Sequence, residues 1–377
     1  MTTSHEPDVD LVVALNYYAP YVSGVTETAR VVAEGLASRG WRVLVICGQH
    51  DPATPRRETL NGVEVLRTPV ALTIGKGIVS PTFVPTVARW SRRARVVHVH
   101  APMLEAGAVA AAVRRRVPLV MTYHCDVNLP ASRLNDVQVR ALDFSHRRAA
   151  NMARAVIVTS TDYASRSRLS AHLERSAEIP PPSLIRPAGR PTYRDGPGLH
   201  VGFLGRIVEE KGLEYLVAGF RGLGPDARLL IGGDFAKVAG GSVVDRVRAA
   251  IGGDRRVRML GFVPDAAIPD FYASLDVFAL PSINSLEAFG IVQAEAMMLG
   301  IPAVASDLPG VRVPVQRTGF GALVPPRDAE ALTAAFRSLE SGRLDRAAGA
   351  IAARALFSSD SVVASHAELF AKVMGPA

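Results

Sequence analysis

Short apolar runs alternate with amphipathic segments along most of the chain. Apolar runs of this kind are typical of parallel strands that are buried on both faces. Between the first two runs, residues 26–39 place Val32 and Leu36 on one helical face, and Gly40 follows as a stop signal. This strand–helix–strand unit recurs, so the pattern predicts an α/β fold with parallel sheets. The predicted strands are 11–15, 43–47, 96–100, 118–123, 155–160, 200–205, 227–233, 257–262, 277–282 and 302–306, and further predicted helices are 211–222, 242–252, 266–274 and 288–299.

A segment without periodicity interrupts this alternation at residues 176–198, and it is rich in Pro, Gly and Arg. Such a composition is typical of a linker. We therefore predict two doubly wound, Rossmann-like domains, residues 1–190 and 191–357, that face a cleft. Ligands of open parallel sheets bind beyond the carboxyl ends of the strands, so the cleft is the expected site. For a C-terminal helix within 358–377, packing back on the first domain is one alternative.

The composition excludes several classes of protein. Apolar residues make up 48% of the 377 residues, which is enough to form a core and excludes disorder as the dominant state. No apolar run approaches the ~18–20 residues of a membrane span. The first residues lack the basic region of a signal peptide. Cys47 and Cys125 alone form neither a disulfide framework nor a cysteine-based zinc site, so we expect a cytoplasmic protein.

Positive charge is concentrated in the first half of the chain. The net charge is +8, whereas residues 1–195 alone carry 25 basic and 16 acidic side chains, a net +9. One interpretation is a basic surface without a partner. The other is contact with an anionic phospholipid surface, at the inner face of the membrane, or with a phosphorylated acceptor. The basic runs lack interleaved aromatic residues, so we expect no nucleic-acid partner.

Two glutamates eight residues apart, Glu287 and Glu295, mark the most specific segment of the chain. On one helix they would lie ~12 Å apart along the axis, too far to act on a single bond together. We expect them to hold two parts of one elongated ligand. The amides of Phe289, Gly290 and Ile291 lie between them at a predicted helix start, which is a ready anion site.

A second group of candidate residues follows the strand 200–205. Gly205 ends that strand, and Arg206 and Lys211 flank the turn into the next helix. Two cations at a strand end suit a diphosphate, because each neutralises negative charge as the diphosphate departs. Glu210 is close enough in sequence to pair with either cation.

The first half offers two further candidates. Ser23 and Gly24 join the first strand to the first helix, where glycine permits a close approach of the backbone to a ligand. His124 and Asp126 follow a buried strand, and we expect His124 to lie at the rim of the cleft. Too few ligands converge near His124 to hold a metal, so we predict no metal site.

The Glu-x7-Glu pattern, with Phe-Gly after the first glutamate and Glu-Ala-Met around the second, resembles the retaining GT-B glycosyltransferases of family 4, the glycosyl transferases group 1. The Gly-Arg-x4-Lys-Gly segment resembles the diphosphate clamp of the same family, and the similarity covers nearly the whole chain. Two positions depart from the family pattern, since Ala288 and Ser23 stand where glycine is usual. The resemblance implies a GT-B fold and a nucleotide-sugar donor.

The resemblance also implies residue roles. Glu287 would hold hydroxyls of the donor hexose, Glu295 would hold the ribose, and His124 would lie near the donor sugar. Backbone around Val263 would contact the base. The predicted catalytic residues are His124, Arg206, Lys211 and Glu287, and the predicted donor-binding residues are Gly24, Gly205, Arg206, Lys211, Val263, Glu287, Phe289, Gly290, Ile291 and Glu295.

The function that follows is transfer of a hexose from a nucleotide sugar to an acceptor hydroxyl, in glycolipid, polysaccharide or secondary-metabolite biosynthesis. We expect no cofactor and no required divalent metal. The acceptor is left open as anionic, lipid-linked or a small molecule, with loops 68–85 and 126–140 as its expected pocket. A sugar-nucleotide epimerase of the same architecture and a non-catalytic sugar-nucleotide-binding module are the alternatives.

Overall fold

The structure is a computed structural model that describes residues 8–74, 77–234, 243–284, 286–342 and 344–375. The chain divides into two compact units. One contains the chain up to Pro182 together with the stretch from Ser359 onward, and the other is Ser183–Ser358. The division falls eight residues before the predicted boundary of 190/191, because Ser183 already belongs to the second unit, where its amide donates a hydrogen bond to the carbonyl of Phe357 at 2.9 Å.

The described residues form sixteen strands and fourteen α-helices, numbered here in chain order. The strands are β1 Val9–Ala14, β2 Val43–Gln49, β3 Arg57–Leu60, β4 Val63–Pro69, β5 Leu72–Ile74, β6 Gly77–Val79, β7 Ala94–Ala101, β8 Leu119–Tyr123, β9 Ala155–Val158, β10 Ala177–Glu178, β11 His200–Leu204, β12 Arg228–Gly232, β13 Val257–Gly261, β14 Val277–Leu280, β15 Ala303–Ser306 and β16 Gly321–Val324. The helices are α1 Gly24–Ala37, α2 Phe83–Trp90, α3 Ala106–Val113, α4 Arg133–Met152, α5 Thr161–Ala164, α6 Ser170–Leu173, α7 Leu213–Phe220, α8 Val244–Ile251, α9 Ile268–Ala273, α10 Ile291–Met298, α11 Val313–Thr318, α12 Ala329–Ser341, α13 Arg346–Phe357 and α14 Ser359–Met374.

The first unit is built on one eight-stranded sheet in the order β10-β9-β8-β7-β1-β2-β4-β3. All neighbouring strands are parallel except β3, which pairs antiparallel with β4. Apolar clusters cover both faces of the sheet, as the unbroken apolar runs require. On one face, Val363 and Phe370 of α14 pack into the cluster that contains Val45 of β2, so the last helix of the chain is part of this unit.

The second unit holds a six-stranded, all-parallel sheet in the order β13-β12-β11-β14-β15-β16. Its core contains Phe203, Phe220 and Phe278, each fully buried. Strand order reverses between β11 and β14, and their carboxyl ends lead to the segments that carry the predicted diphosphate and glutamate residues. A doubly wound sheet binds ligands at this kind of switch point.

The predicted α/β class is confirmed, and each predicted strand is found within a few residues of its predicted bounds. The interpretation of 126–140 as a loop is wrong, because α4 begins at Arg133. The predicted loop 68–85 contains the hairpin β5–β6, and residues 75 and 76 lie outside the described residues, as does residue 242 of the predicted helix 242–252. In the described ranges no helix has both the length and the apolar character that crossing a bilayer requires.

Candidate functional site

The loop between β14 and α10 in the second unit brings Glu287 against a buried lysine. The Lys211 ammonium donates a hydrogen bond to Oε2 of Glu287, although 76 residues separate the two in sequence. The other carboxylate oxygen, Oε1, accepts a hydrogen bond from the Gly290 amide at 3.0 Å. The Gly290 amide at this helix start therefore binds the Glu287 carboxylate, and binding of a ligand anion there stays a prediction.

The surroundings of Glu287 keep it ionised. Burial would raise the pKa of this carboxyl group, but the Lys211 charge and the amides of Gly290 and Phe289 outweigh burial and lower the pKa below its ordinary value. An ammonium has three N–H donors, so Lys211 can bind Glu287 and still donate to a second anion.

Gly290 has a backbone conformation that favours glycine. Its φ is +80°, and it stands as the N-cap of α10. A Cβ at this position would lie 2.3 Å from Cδ2 of Leu280. The side-chain amide of Gln293 donates to the carbonyls of Phe289 and Val311, both at 2.8 Å, and so fixes the turn from inside the fold. Gln293 was not among the predicted residues, because Val311, to which Gln293 donates, is distant from it in sequence.

Replacing Gly290 with alanine is expected to destabilise the second unit by about 2–4 kcal/mol, from the left-handed φ and the clash together. Gly253 is a matched control: its φ is +84°, but a Cβ there has no atom within 4 Å. Gly253→Ala should therefore cost only about 1–2 kcal/mol, the conformational part alone. Chemical denaturation of both variants measures the difference, and equal losses would contradict this view of the turn.

Glu295 lies on α10 in a second, separate polar cluster. Its Oε2 accepts from Nε of Arg186 at 3.2 Å and lies 3.4 Å from the Tyr272 hydroxyl. Arg186 also donates from Nη1 to Asp265 at 2.6 Å, so it links Glu295 to the loop after β13. Burial raises the pKa of Glu295 above its ordinary value, although Arg186 opposes the change.

Arg186 was not among the predicted site residues. It lies in the Pro-, Gly- and Arg-rich segment that the sequence analysis assigned to a linker. Its side chain is mostly buried, and its two carboxylate partners, Glu295 and Asp265, are 109 and 79 residues away in sequence. No local pattern could have indicated these contacts.

The other predicted residues of the second unit lie at the same edge of the sheet. Gly205 follows β11, and the backbone of Gly233 packs closely against it. A Cβ on Gly233 would lie 1.8 Å from the carbonyl oxygen of Gly205. Arg206 pairs with Glu210 at 3.1 Å, and its side chain is 52% exposed. Val263 is buried after β13, and contact of its backbone with a base stays a prediction.

The first unit contains the remaining predicted residues, Gly24 and His124. Ser23 is the N-cap of α1, and its side chain and that of Thr26 form reciprocal hydrogen bonds with each other's backbone amides. A Cβ on Gly24 would meet no atom within 4 Å, so the start of α1 is open to an approaching group.

His124 is buried at the end of β8. Its Nε2 is joined by a 2.9 Å hydrogen bond to Nδ1 of His100 on β7. The ring of His98 lies 4.2 Å from that of His100 between centroids, and His366 of α14 lies 6.0 Å from His98. Asp126 accepts from the hydroxyls of Tyr123 and Ser167 and holds the loop after β8. The expected rim position of His124 is thus a largely buried one, and its role stays a prediction.

The buried histidines make the stability of the first unit dependent on pH. Burial lowers the pKa of His124 to about 3 and that of His366 to about 4. Below the ordinary pKa of 6.5 the unfolded chain takes up protons that the folded chain refuses, so stability falls with decreasing pH by up to about 1.4 kcal/mol per pH unit for each histidine. His366→Gln should flatten the decline in unfolding free energy between pH 6.5 and about pH 4. If the unfolding free energy of His366→Gln declined with pH as steeply as that of wild type, the lowered pKa of His366 would be contradicted.

Both halves of the chain match known protein families. The family described as "Glycosyl transferases group 1" matches residues 194–355, and "Glycosyl transferase 4-like domain" matches residues 23–179. A GDP-mannose-dependent alpha-mannosyltransferase of Mycobacterium tuberculosis is 30% identical over 338 residues, covering 84% of this chain and 84% of that protein. The chain belongs to the group 1 glycosyltransferases.

A second relative agrees with this membership, and a solved structure shows the same fold. A phosphatidyl-myo-inositol mannosyltransferase of Mycobacterium leprae is 29% identical over 330 residues, covering 84% of this chain and 83% of that protein. Anabaena HepE, solved in complex with UDP-glucose, has a TM-score of 0.67 at 22% identity, covering 96% of this chain and 99% of that one. The predicted GT-B fold and the predicted glycosyltransferase class are confirmed.

The absence of a metal site in this glycosyltransferase stays a prediction, and the structure can be searched only in the residues that it describes. Within them, no three His, Cys, Asp or Glu side chains are grouped so that they could hold a metal ion. Lys211 and Arg206 are two of the cations at the carboxyl edge of the second sheet.

Proposed function

We propose that this glycosyltransferase moves a hexose from a nucleotide-diphosphate sugar to an acceptor hydroxyl with retention of configuration. The observation that carries the proposal is the contact of Lys211 and the Gly290 amide with Glu287 at the start of α10. This places a cation, a helix N-terminus and a carboxylate at one point. A diphosphate needs the first two, and sugar hydroxyls need the third.

Lys211 supplies the electrostatic part of the proposed reaction. Its side chain is largely buried, so its charge is poorly screened by water and stabilises a departing diphosphate strongly. The N-terminus of α10 adds a partial positive charge to the same place. Glu287 holds Lys211 and presents an ionised carboxylate to the hexose hydroxyls.

The proposed chemical step takes place on one face of the sugar. The bond from the anomeric carbon to the diphosphate oxygen breaks, and its electron pair goes to the diphosphate. The acceptor oxygen forms the new bond to that carbon from the same face, and its proton passes to the departing phosphate oxygen. Lys211 stabilises the negative charge that remains, and Arg206 adds a second, more solvent-screened cation.

Glu295 has the proposed role of binding the ribose. Its buried carboxylate, which Arg186 and Tyr272 orient, offers a fixed acceptor for two vicinal hydroxyls. The arginine also holds Asp265 in the loop after β13, and the backbone of that loop at Val263 is proposed to contact the base.

The names of the relatives suggest where to look for substrates. Two of them are mannosyltransferases, one GDP-mannose-dependent and one for phosphatidyl-myo-inositol. GDP-mannose is therefore the first donor to test, followed by UDP-glucose. The net +9 over residues 1–195 favours an anionic acceptor, and a cytoplasmic enzyme with peripheral contact to the inner membrane face is consistent with that charge.

A thermal-shift screen of nucleotide sugars tests the donor proposal. Saturation at about 100 times the dissociation constant stabilises the folded state by about 2.7 kcal/mol, so a true donor should raise Tm by several degrees. Because Lys211 and Arg206 supply the positive charge, we expect the shift to persist in EDTA. Free mannose and AMP serve as controls. The proposal would be contradicted if no nucleotide-diphosphate sugar raised Tm.

A further inference from the structure

Helix α4 of the first unit carries an unusual group of exposed apolar side chains. Among the described residues, thirteen large apolar side chains are exposed, and four of them lie between positions 129 and 144. Three of the four lie on α4, namely Leu134, Val137 and Phe144, which are 68%, 62% and 66% exposed. Their spacing places them on one face of the helix.

The second half of α4 is packed more tightly against the unit than the first half. Its buried residues are Asp143, Ser145, His146, Ala149 and Ala150, and none lies between 133 and 142. The Ser145 hydroxyl accepts from the Gly107 amide at 2.9 Å, so the start of α3 lies beside the middle of α4. In the first ten residues, about 15 Å of helix, no side chain is buried, and Asn135, Gln138, Val139 and Leu142 are half-buried.

Arginines border the apolar face. Arg133, Arg140 and Arg147 recur at intervals of seven and so line one edge of it, and Arg148 lies within it. All four are exposed, and the structure shows no ion pair for any of them in the ranges it describes. The single exposed acid of this helix is Asp136, because Asp143 is buried against Arg168.

We infer that this face of α4, formed by Leu134, Val137, Phe144 and the four arginines, docks on an anionic lipid bilayer. Arginine guanidinium groups would bind lipid phosphates, while the apolar side chains enter the boundary between headgroups and acyl chains. A second copy of the chain fits less well, since a symmetric contact would place the arginine rows against each other. This inference deepens the membrane contact of the proposed function by naming the surface.

Vesicle sedimentation with the full chain tests the inference. The probes are phosphatidylcholine vesicles with and without phosphatidylglycerol, each at low and at high salt. Wild type should bind the anionic vesicles at least about tenfold more strongly, and salt should weaken that binding. Arg133→Gln/Arg140→Gln/Arg147→Gln should lose the anionic preference, and Val137→Ser/Phe144→Ser should lower binding to both vesicles.

Two matched controls make the test specific to α4. Arg114→Gln/Arg115→Gln/Arg116→Gln removes the same charge from the basic run after α3 of the same unit. Ile351→Ser removes an apolar side chain that is 67% exposed on α13 of the other unit. Neither should change vesicle binding. The inference is overturned if the α4 variants bind like wild type, if neutral vesicles bind equally well, or if the Arg114–Arg116 variant shows the loss.

Two further readouts separate this inference from its alternatives. Analytical ultracentrifugation identifies a second copy as the occupant if Val137→Ser/Phe144→Ser converts a dimer to a monomer, and that result also overturns the inference. The α4 variants should keep the wild-type Tm and the wild-type shift with nucleotide sugar. If nucleotide sugars did not raise the Tm of wild type, the donor proposal would be contradicted, whereas the vesicle-binding result would not be affected.

Discussion

Replacing Lys211 with methionine is expected to lower the rate of sugar transfer at saturating donor by about 10²–10³-fold. The methionine keeps most of the length of the side chain but removes the charge that stabilises the leaving diphosphate. Arg206→Gln should cost less, about tenfold, because the solvent around its half-exposed side chain screens the charge. Steady-state kinetics with a radiolabelled donor measures both variants.

Loss of stability has to be separated from loss of catalysis in this experiment. Lys211→Met leaves the Glu287 carboxylate buried without its partner, which costs about 3–5 kcal/mol. Lys211→Met/Glu287→Gln removes the unpaired charge as well, so it should recover most of the Tm but not the rate. Arg255→Gln, at an exposed arginine of the same unit, is the control for charge alone. A Lys211→Met enzyme with wild-type turnover would contradict the proposed role.

Replacing Glu295 with glutamine is expected to weaken donor binding by about 10–100-fold, because hydrogen bonds from ribose hydroxyls to a charged acceptor are lost. The effect should appear in the KM and Kd of the donor, with the acceptor KM unchanged. Isothermal titration with the nucleoside diphosphate alone should show the same loss, since the ribose is present in both ligands.

Glu330→Gln, at an exposed glutamate on α12, is the matched control and should bind the donor like wild type. If Glu295→Gln also left the nucleotide affinity unchanged, the carboxylate would have only the internal role of holding Arg186, and its assignment to the ribose would be wrong.

The sequence predicts the parts of this enzyme that depend on neighbouring residues. Unbroken apolar runs located ten of the fourteen strands that the described residues form in the two large sheets, but not β3, β4, β10 and β16. The Phe-Gly pair before the second glutamate placed the start of α10 almost correctly. These features were accessible because each is formed within a few residues of chain. The Glu-x7-Glu spacing likewise led to the family, which the relatives confirm.

The contacts that give the candidate site its charge could not be predicted in the same way. Lys211 meets Glu287 across 76 residues, and Arg186 meets Glu295 across 109. Such pairs depend on strand order. From the sequence alone, many basic residues are equally possible partners for each carboxylate. Helix α4 was missed for another reason. The half-buried positions of its first half, Asn135, Gln138, Val139 and Leu142, mix polar and apolar side chains, so the apolar stripe by which a helix is recognised is incomplete.

The decisive test of donor binding by the second unit is a crystal structure of the protein with an intact nucleotide-diphosphate sugar. The account predicts that the ribose hydroxyls lie within hydrogen-bond distance of Glu295, that the diphosphate contacts Lys211 and the amides at the start of α10, and that the hexose contacts Glu287. A nucleotide bound away from the carboxyl edge of the second sheet, or a Glu295 that makes no contact with the ribose, would contradict this expectation.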